Sequence, residues 1–299
     1  MIRLLSNRNF IFLLSISFGL VFPQPAIWTQ VLMMPALALV MTLATINVQN
    51  DYFLKPRTIL MPSLFGILMT YVLLGGVILT ASALLISDHN MWIGFVLIAA
   101  VPPAVAVIPF SAILEGNVSY ALSGTVASYL AALLIMPLMF WIFIGTSFPD
   151  PFKLIRIMLL LIVLPLILSR IILYFNLQDR IAPIRGLLTD WGFFIVLYSM
   201  IGVNRDLIFS QPLLIAPIAL VVIVATFVLG FAIEKVGVLA KVDKKNILSL
   251  VLLGTLKNQG IAGGLAIALF EKEAALPSAV YSIIMIIYIM WLDLRRRWQ

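Results

Sequence analysis

Leu252-Leu253-Gly254-Thr255-Leu256-Lys257-Asn258-Gln259-Gly260-Ile261-Ala262-Gly263-Gly264 puts a lysine, two side-chain amides and four glycines inside an otherwise apolar segment. That segment runs from about Asn246 to Phe270 and is long enough to cross a bilayer, which takes about 20 helical residues. Hydrocarbon supplies no hydrogen bonds, so polar or irregular backbone persists there only where it lines a cavity or is enclosed by protein. Lys257 lies too far from either end for its stem to carry the ammonium to the headgroups. An ionisable residue so placed marks a functional site by default; the alternative is a lysine paired with a carbonyl in a tightly packed bundle. The expectation is a helix broken at mid-membrane, with Lys257 in a transport site.

The composition agrees. Hydrophobic residues make up 63% of the 299-residue chain and charged residues 10%, with a mean hydropathy of +1.17. These values describe an all-α polytopic membrane protein with room for about ten spans of ~20 residues. With no cysteine there is no disulfide, thiolate metal site or cysteine nucleophile. The single histidine, His89, sits in a short loop without partners spaced for a metal. The net charge of +7 reflects membrane topology rather than nucleic acid, and no dinucleotide, phosphate-loop or zinc-protease motif occurs. Neither a cofactor nor an enzymatic centre is implied.

Segment one is a retained short helix from Phe10 to Phe22, with Arg3 and Arg8 ahead of it and no small-residue cleavage site behind. The others are Ala26 to Ile46, Thr58 to Ile86, Met91 to Leu114, Val118 to Gly145, Phe152 to Phe175, Leu187 to Val203, Leu213 to Ile233, Ile247 to Phe270 and Leu276 to Leu292. Asn47 to Asp51, Glu115 to Asn117, Asn204 to Asp206 and Glu271 to Glu273 read as polar connections. Gly75-Gly76 invites close approach of a neighbouring backbone. Pro102, Pro103 and Pro109 fall in the fourth span and break it, since proline removes a donor and clashes with the preceding turn. Gly254, Gly260 and Gly263 interrupt the ninth.

With the N-terminus inside and ten crossings, inside segments hold fourteen of the 19 lysines and arginines: Arg3, Arg8, Lys55, Arg57 and the groups Arg170–Arg185, Lys235–Lys245 and Arg295–Arg297. Outside segments hold Lys153, Arg156, Arg205 and Lys272. The asymmetry places both termini in the cytoplasm. Ten spans divide into residues 1–145 and 146–299, five each, and an odd number per half gives the halves opposite topology. Paired interruptions in the fourth helix of each inverted half point to a secondary transporter's binding site.

The run Val101-Pro102-Pro103-Ala104-Val105-Ala106-Val107-Ile108-Pro109-Phe110-Ser111-Ala112-Ile113-Leu114-Glu115-Gly116-Asn117-Val118, then Ala121-Leu122-Ser123, is similar to the fourth-helix region of the bile acid:sodium symporter family. Lys257-Asn258-Gln259-Gly260-Ile261-Ala262, with Ala274-Ala275-Leu276-Pro277-Ser278-Ala279, resembles its ninth. The resemblance implies a panel domain of helices 1, 2, 6 and 7 and a core domain of helices 3–5 and 8–10. Helices 4 and 9 would cross where each unwinds. It also implies transport of organic anions such as bile acids and small carboxylates, usually with sodium. Where the family carries Pro-Gly-Gly and a Ser-Asn pair, this chain has Pro102-Pro103-Ala104 and Val107-Ile108; its glutamate and glutamine positions are Leu253 and Lys257. Sodium wants several oxygen ligands, and an ammonium in the same place repels it by roughly 4 kcal/mol at ~4 Å and an effective dielectric of ~20.

The expectation is therefore a plasma- or inner-membrane transporter of small organic anions, acting as a monomer and not coupled to sodium through the usual ligands. Lys257 stands in for the bound cation or exchanges a proton, since burial disfavours a charged lysine. Asn258, Gln259, Ser111, Ser123 and Thr255 are the neighbouring binding groups, each hydroxyl having a back-bond to its own helix as the alternative. Other readings are a symporter with a sodium site rebuilt from backbone carbonyls, a transporter resembling the auxin efflux carrier family, and a membrane sensor that binds without flux.

Overall fold

The computed structural model describes residues 5, 7–46, 56–145, 151–210 and 212–297. Among these the regular structure is entirely helical: α1 (Arg8–Val21), α2 (Ala26–Thr45), α3 (Ile59–Leu85), α4 (His89–Ala100), α5 (Val107–Ile113), α6 (Val118–Phe143), α7 (Ile155–Tyr174), α8 (Gln178–Ser210), α9 (Leu213–Leu239), α10 (Lys244–Leu253), α11 (Gln259–Leu269) and α12 (Leu276–Arg297). Seven helices are long and apolar enough to cross a membrane by length and composition, namely α2, α3, α6 to α9 and α12. The expected connection at Asn47–Asp51, together with Arg3, Lys55 and Trp298, lies outside the described residues.

Short polar side chains begin these helices. Asn7, Asp88, Asn117, Asp243 and Asn258 each accept a backbone N–H from the first turn of α1, α4, α6, α10 and α11, satisfying donors that have no partner inside the helix. Glu115 ends the α5 turn at a φ of 58°, so Glu115–Asn117 is the tight connection its sequence implies. Asn204–Asp206, by contrast, is not a connection but continues α8, which runs from Gln178 to Ser210. The charges there cap an apolar stretch without breaking it. Asn204 is buried and donates to the Met200 carbonyl at 2.9 Å, and Arg205 reaches the Leu20 carbonyl on α1.

At the centre lie α4 and α10. From Ile93 to Ala100 and from Ile247 to Leu253 every residue is buried, as befits helices that are apolar all round. Around them pack α3, α6, α9 and α12, while α1 and α2 pack mainly along α8 and α2 also along α7. The closest backbone approach on α3 is not at Gly75-Gly76, since a Cβ on Gly76 meets nothing within 4 Å. It lies about two and a half turns earlier, where Gly66 faces Gly124 of α6 so tightly that a Cβ on Gly66 would overlap the Gly124 Cα. Both contacting atoms are backbone, so neither can move aside. Gly66→Ala is expected to cost about 1–3 kcal/mol through overpacking and to lower the thermal unfolding midpoint in detergent. Gly76→Ala is expected to stay within about 0.5 kcal/mol of wild type.

Candidate functional site

Two interruptions meet at the centre. The first begins at Val101, which takes the extended conformation that the residue before a proline prefers. Pro102 and Pro103, which have no N–H donor, follow, and the chain stays non-helical until α5 starts at Val107. The second follows Leu253, where Gly254 ends α10 and residues 255–258 are extended or turned until Asn258 opens α11. The two freed stretches run antiparallel with Pro103 opposite Lys257. Ala104 N–H donates to the Leu256 carbonyl and Asn258 N–H to the Pro102 carbonyl, both at 3.0 Å.

Surrounding helices take up what that pairing leaves. Tyr129 Oη on α6 donates to the Pro103 carbonyl at 2.9 Å and accepts from Asn258 Nδ2 at 3.0 Å. Tyr281 Oη on α12 donates to the Thr255 carbonyl at 2.9 Å. Within α3, Leu68–Leu74 is π-helical, a widened geometry frequent at functional sites, and it delivers two residues to the break. Thr70 Oγ1 donates to the Leu253 carbonyl at 3.1 Å. Tyr71 turns its ring to Lys257, whose Nζ stands 4.6 Å from the ring centroid.

Lys257 is fully buried. Its Nζ donates to the Ala99 carbonyl at 2.7 Å and the Val101 carbonyl at 2.9 Å. These oxygens close the C-terminal end of α4, the negative end of that helix, where a cation is favoured. Among the described residues no carboxylate pairs with Lys257, so carbonyl dipoles and the tyrosine face hold its charge. The carbonyls of Ala99, Val101, Pro102, Pro103, Leu253, Thr255, Leu256 and Lys257 itself all accept a hydrogen bond.

Gln259 differs from its neighbours. It is 3% exposed, and neither its Nε2 nor its Oε1 has a partner among the described residues, although buried polar groups are normally satisfied. It lines a narrow cavity with ≈ 50 Å³ of water-sized space, together with Lys257, Asn258, Phe110, Val196 and Ile286. Phe12, Val105, Ala106 and Phe193 line this cavity and also a wider one of ≈ 360 Å³ between α1, α5 and α8. The two cavities therefore adjoin along these four residues.

Other residues singled out in the sequence take different places. Ser111 Oγ meets Ser249 Oγ at 3.1 Å, and Asn117 Nδ2 donates to Asn246 Oδ1 at 2.7 Å, so both belong to a clamp joining the end of α5 to the start of α10. Ser123 and Thr255 bond back to Ser119 and Val251 on their own helices. Neither Ser111 nor Ser123 lines either cavity. Pro109 is not at the break but in the first turn of α5, where a missing N–H costs nothing. Gly260 and Gly263 lie inside α11; they make room for Leu37 and Val196 and for Met200 respectively. Tyr71, Tyr129, Thr70 and Tyr281 went unmarked in the sequence, because an aromatic or threonine in an apolar span looks the same whether it packs or bonds.

Comparison with known families gives one match: the model described as the Sodium Bile acid symporter family covers residues 34–211. No curated protein matches the chain. The matched stretch takes in the first break and its supports from α2 to α8, and it ends before Lys257. Because that match covers well over half of the 299 residues, the chain belongs to the sodium bile acid symporter family, a family of membrane transporters and not of enzymes.

Proposed function

We propose that this protein is a secondary active transporter of small organic anions in the plasma or inner membrane, with Lys257 taking the place of a bound sodium ion. Ten crossings arranged as two inverted five-helix repeats fit the helix order, α4 with α5 forming the fourth span and α10 with α11 the ninth. Helices α1, α2, α7 and α8 then make the panel, the rest make the core, and both termini are cytoplasmic. Transport follows from rocking of the core against the panel around the crossing, the arrangement of inverted-repeat transporters with broken helices. A monomer is sufficient for this.

The observation that carries the reading is the position of Lys257 Nζ on the carbonyls of Ala99 and Val101. A cation placed there stabilises the end of the half-helix and supplies positive potential beside the narrow cavity. A tethered ammonium does this without drawing on a sodium gradient. Repulsion by that ammonium works against a rebuilt sodium site. The absence of a carboxylate partner among the described residues favours a proton as coupling ion, because no counter-ion fixes the lysine's charge through the cycle.

Uptake of labelled cholate and benzoate into proteoliposomes is expected to be the same in sodium as in matched potassium buffer, and to respond to an imposed proton gradient. Uptake that collapses without sodium overturns the tethered-cation reading, and anion binding without any flux marks a sensor. Lys257→Ala is expected to abolish uptake. It also leaves two buried carbonyls without their donor, so a loss of about 2–3 kcal/mol of stability is expected, read as a lower melting midpoint. Normal uptake by folded Lys257→Ala rules out a role for the lysine in transport.

A further inference from the structure

The wider cavity carries a polar group that the crossing does not use. Arg8, at the start of α1, donates from Nε to Asp190 Oδ1 of α8 at 2.7 Å, with the Asp190 residue 5% exposed. A guanidinium has five N–H donors, and this ion pair uses the one on Nε. Among the described residues nothing accepts from Nη1 or Nη2. The guanidinium carbon lies 5.8 Å from the centroid of the Phe110 ring on α5, so the group is held from the α8 side by Asp190 and from the α5 side by Phe110. Arg8 lines a cavity of ≈ 360 Å³, and the end of a guanidinium carries two parallel N–H groups, on Nη1 and Nη2.

The rest of the lining is consistent with an anion. Ala182, Arg185, Gly186, Thr189 and Phe193 recur at the spacing of one helical face on α8, and among the described residues no carboxylate lines the cavity. Asp190 sits behind Arg8 and orients it, as a carboxylate orients a ligand-binding side chain elsewhere.

We infer that Arg8, positioned by Asp190 and Phe110, is an anion-docking site that binds the carboxylate of the transported molecule end-on through Nη1 and Nη2, in the cavity adjoining the one that Lys257 lines and separate from the crossing. A planar fork of two N–H groups matches a carboxylate in a way that an ammonium does not. The site would therefore separate carboxylates from neutral molecules of the same shape before they reach Gln259 and Lys257. This rests on the transport reading, and it assigns the selection of charge to a residue outside the broken helices.

The test uses the purified full-length protein, with benzoate and its neutral isostere benzamide as probes, and cholate as a larger carboxylate. Benzoate and cholate are expected to raise the melting midpoint of wild type by mass action, and benzamide is expected not to. The double variant Arg8→Gln/Asp190→Asn, which leaves no buried carboxylate unpaired, is expected to need about tenfold more carboxylate or above for the same shift. Arg8→Lys is expected to fall between the two. In proteoliposomes the double variant is expected to raise KM for benzoate with little change in kcat. Identical carboxylate titrations and KM values in wild type and the folded double variant overturn the docking site and leave the transport reading standing. If wild type neither binds nor transports either carboxylate, the two readings fall together.

Discussion

The hydrogen bonds from Ala104 N–H to Leu256 and from Asn258 N–H to Pro102 are what allow two helices to be interrupted in the middle of an apolar bundle. Each broken helix frees donors and acceptors that lipid cannot satisfy. Each also offers the groups the other lacks, because an unwound stretch running antiparallel to another presents the edge of a strand. The pairing accounts for only part of the freed backbone. The remaining carbonyls fix what must surround the crossing: Tyr129 and Tyr281 as donors from α6 and α12, Thr70 from α3, and Lys257 from within the break itself. In this sense the buried polar residues of the core follow from its backbone.

That dependence gives Lys257 a structural role at the crossing. Its two carbonyl partners belong to the end of α4, so the ammonium closes that helix as a C-terminal cap does. The same charge also sits beside the narrow cavity, where Gln259 has amide groups unengaged among the described residues. Asn258, in contrast, spends its carbonyl oxygen on Ile261 N–H and its amide on Tyr129. Two adjacent polar residues thus divide the work, Asn258 holding the crossing closed and Gln259 facing the space a solute would enter.

Local chemistry made the breaks readable in the sequence, since Pro102-Pro103 cannot continue a helix and a lysine in mid-segment demands an explanation wherever it lies. What could not be read depended on neighbours far away along the chain. A glycine can end a helix or admit a side chain, and only the packing of Leu37, Val196 and Met200 shows that Gly260 and Gly263 do the second. Ser111 looked like a ligand because it follows the break closely, but its hydroxyl meets Ser249 from the opposite half. Asn204–Asp206 looked like a loop because charge was taken to end a span, whereas α8 simply extends beyond its apolar part. The pairing of Arg8 with Asp190 spans 182 positions, and neither residue stands out in its own surroundings.

The π-helical stretch Leu68–Leu74 sets Thr70 and Tyr71 toward the crossing while Gly66, one segment earlier, stays pressed against α6. A regular α-helix turns by about 100° per residue and a π-helical stretch by less. The widened turn acts as a phase adjuster between the half of α3 that packs on α6 and the half from Gly75 to Leu85, which packs on α4 and α9. The register of this helix is therefore set twice, once in each half. Removing a single residue between them would leave composition and hydropathy almost unchanged and yet put the two halves out of phase.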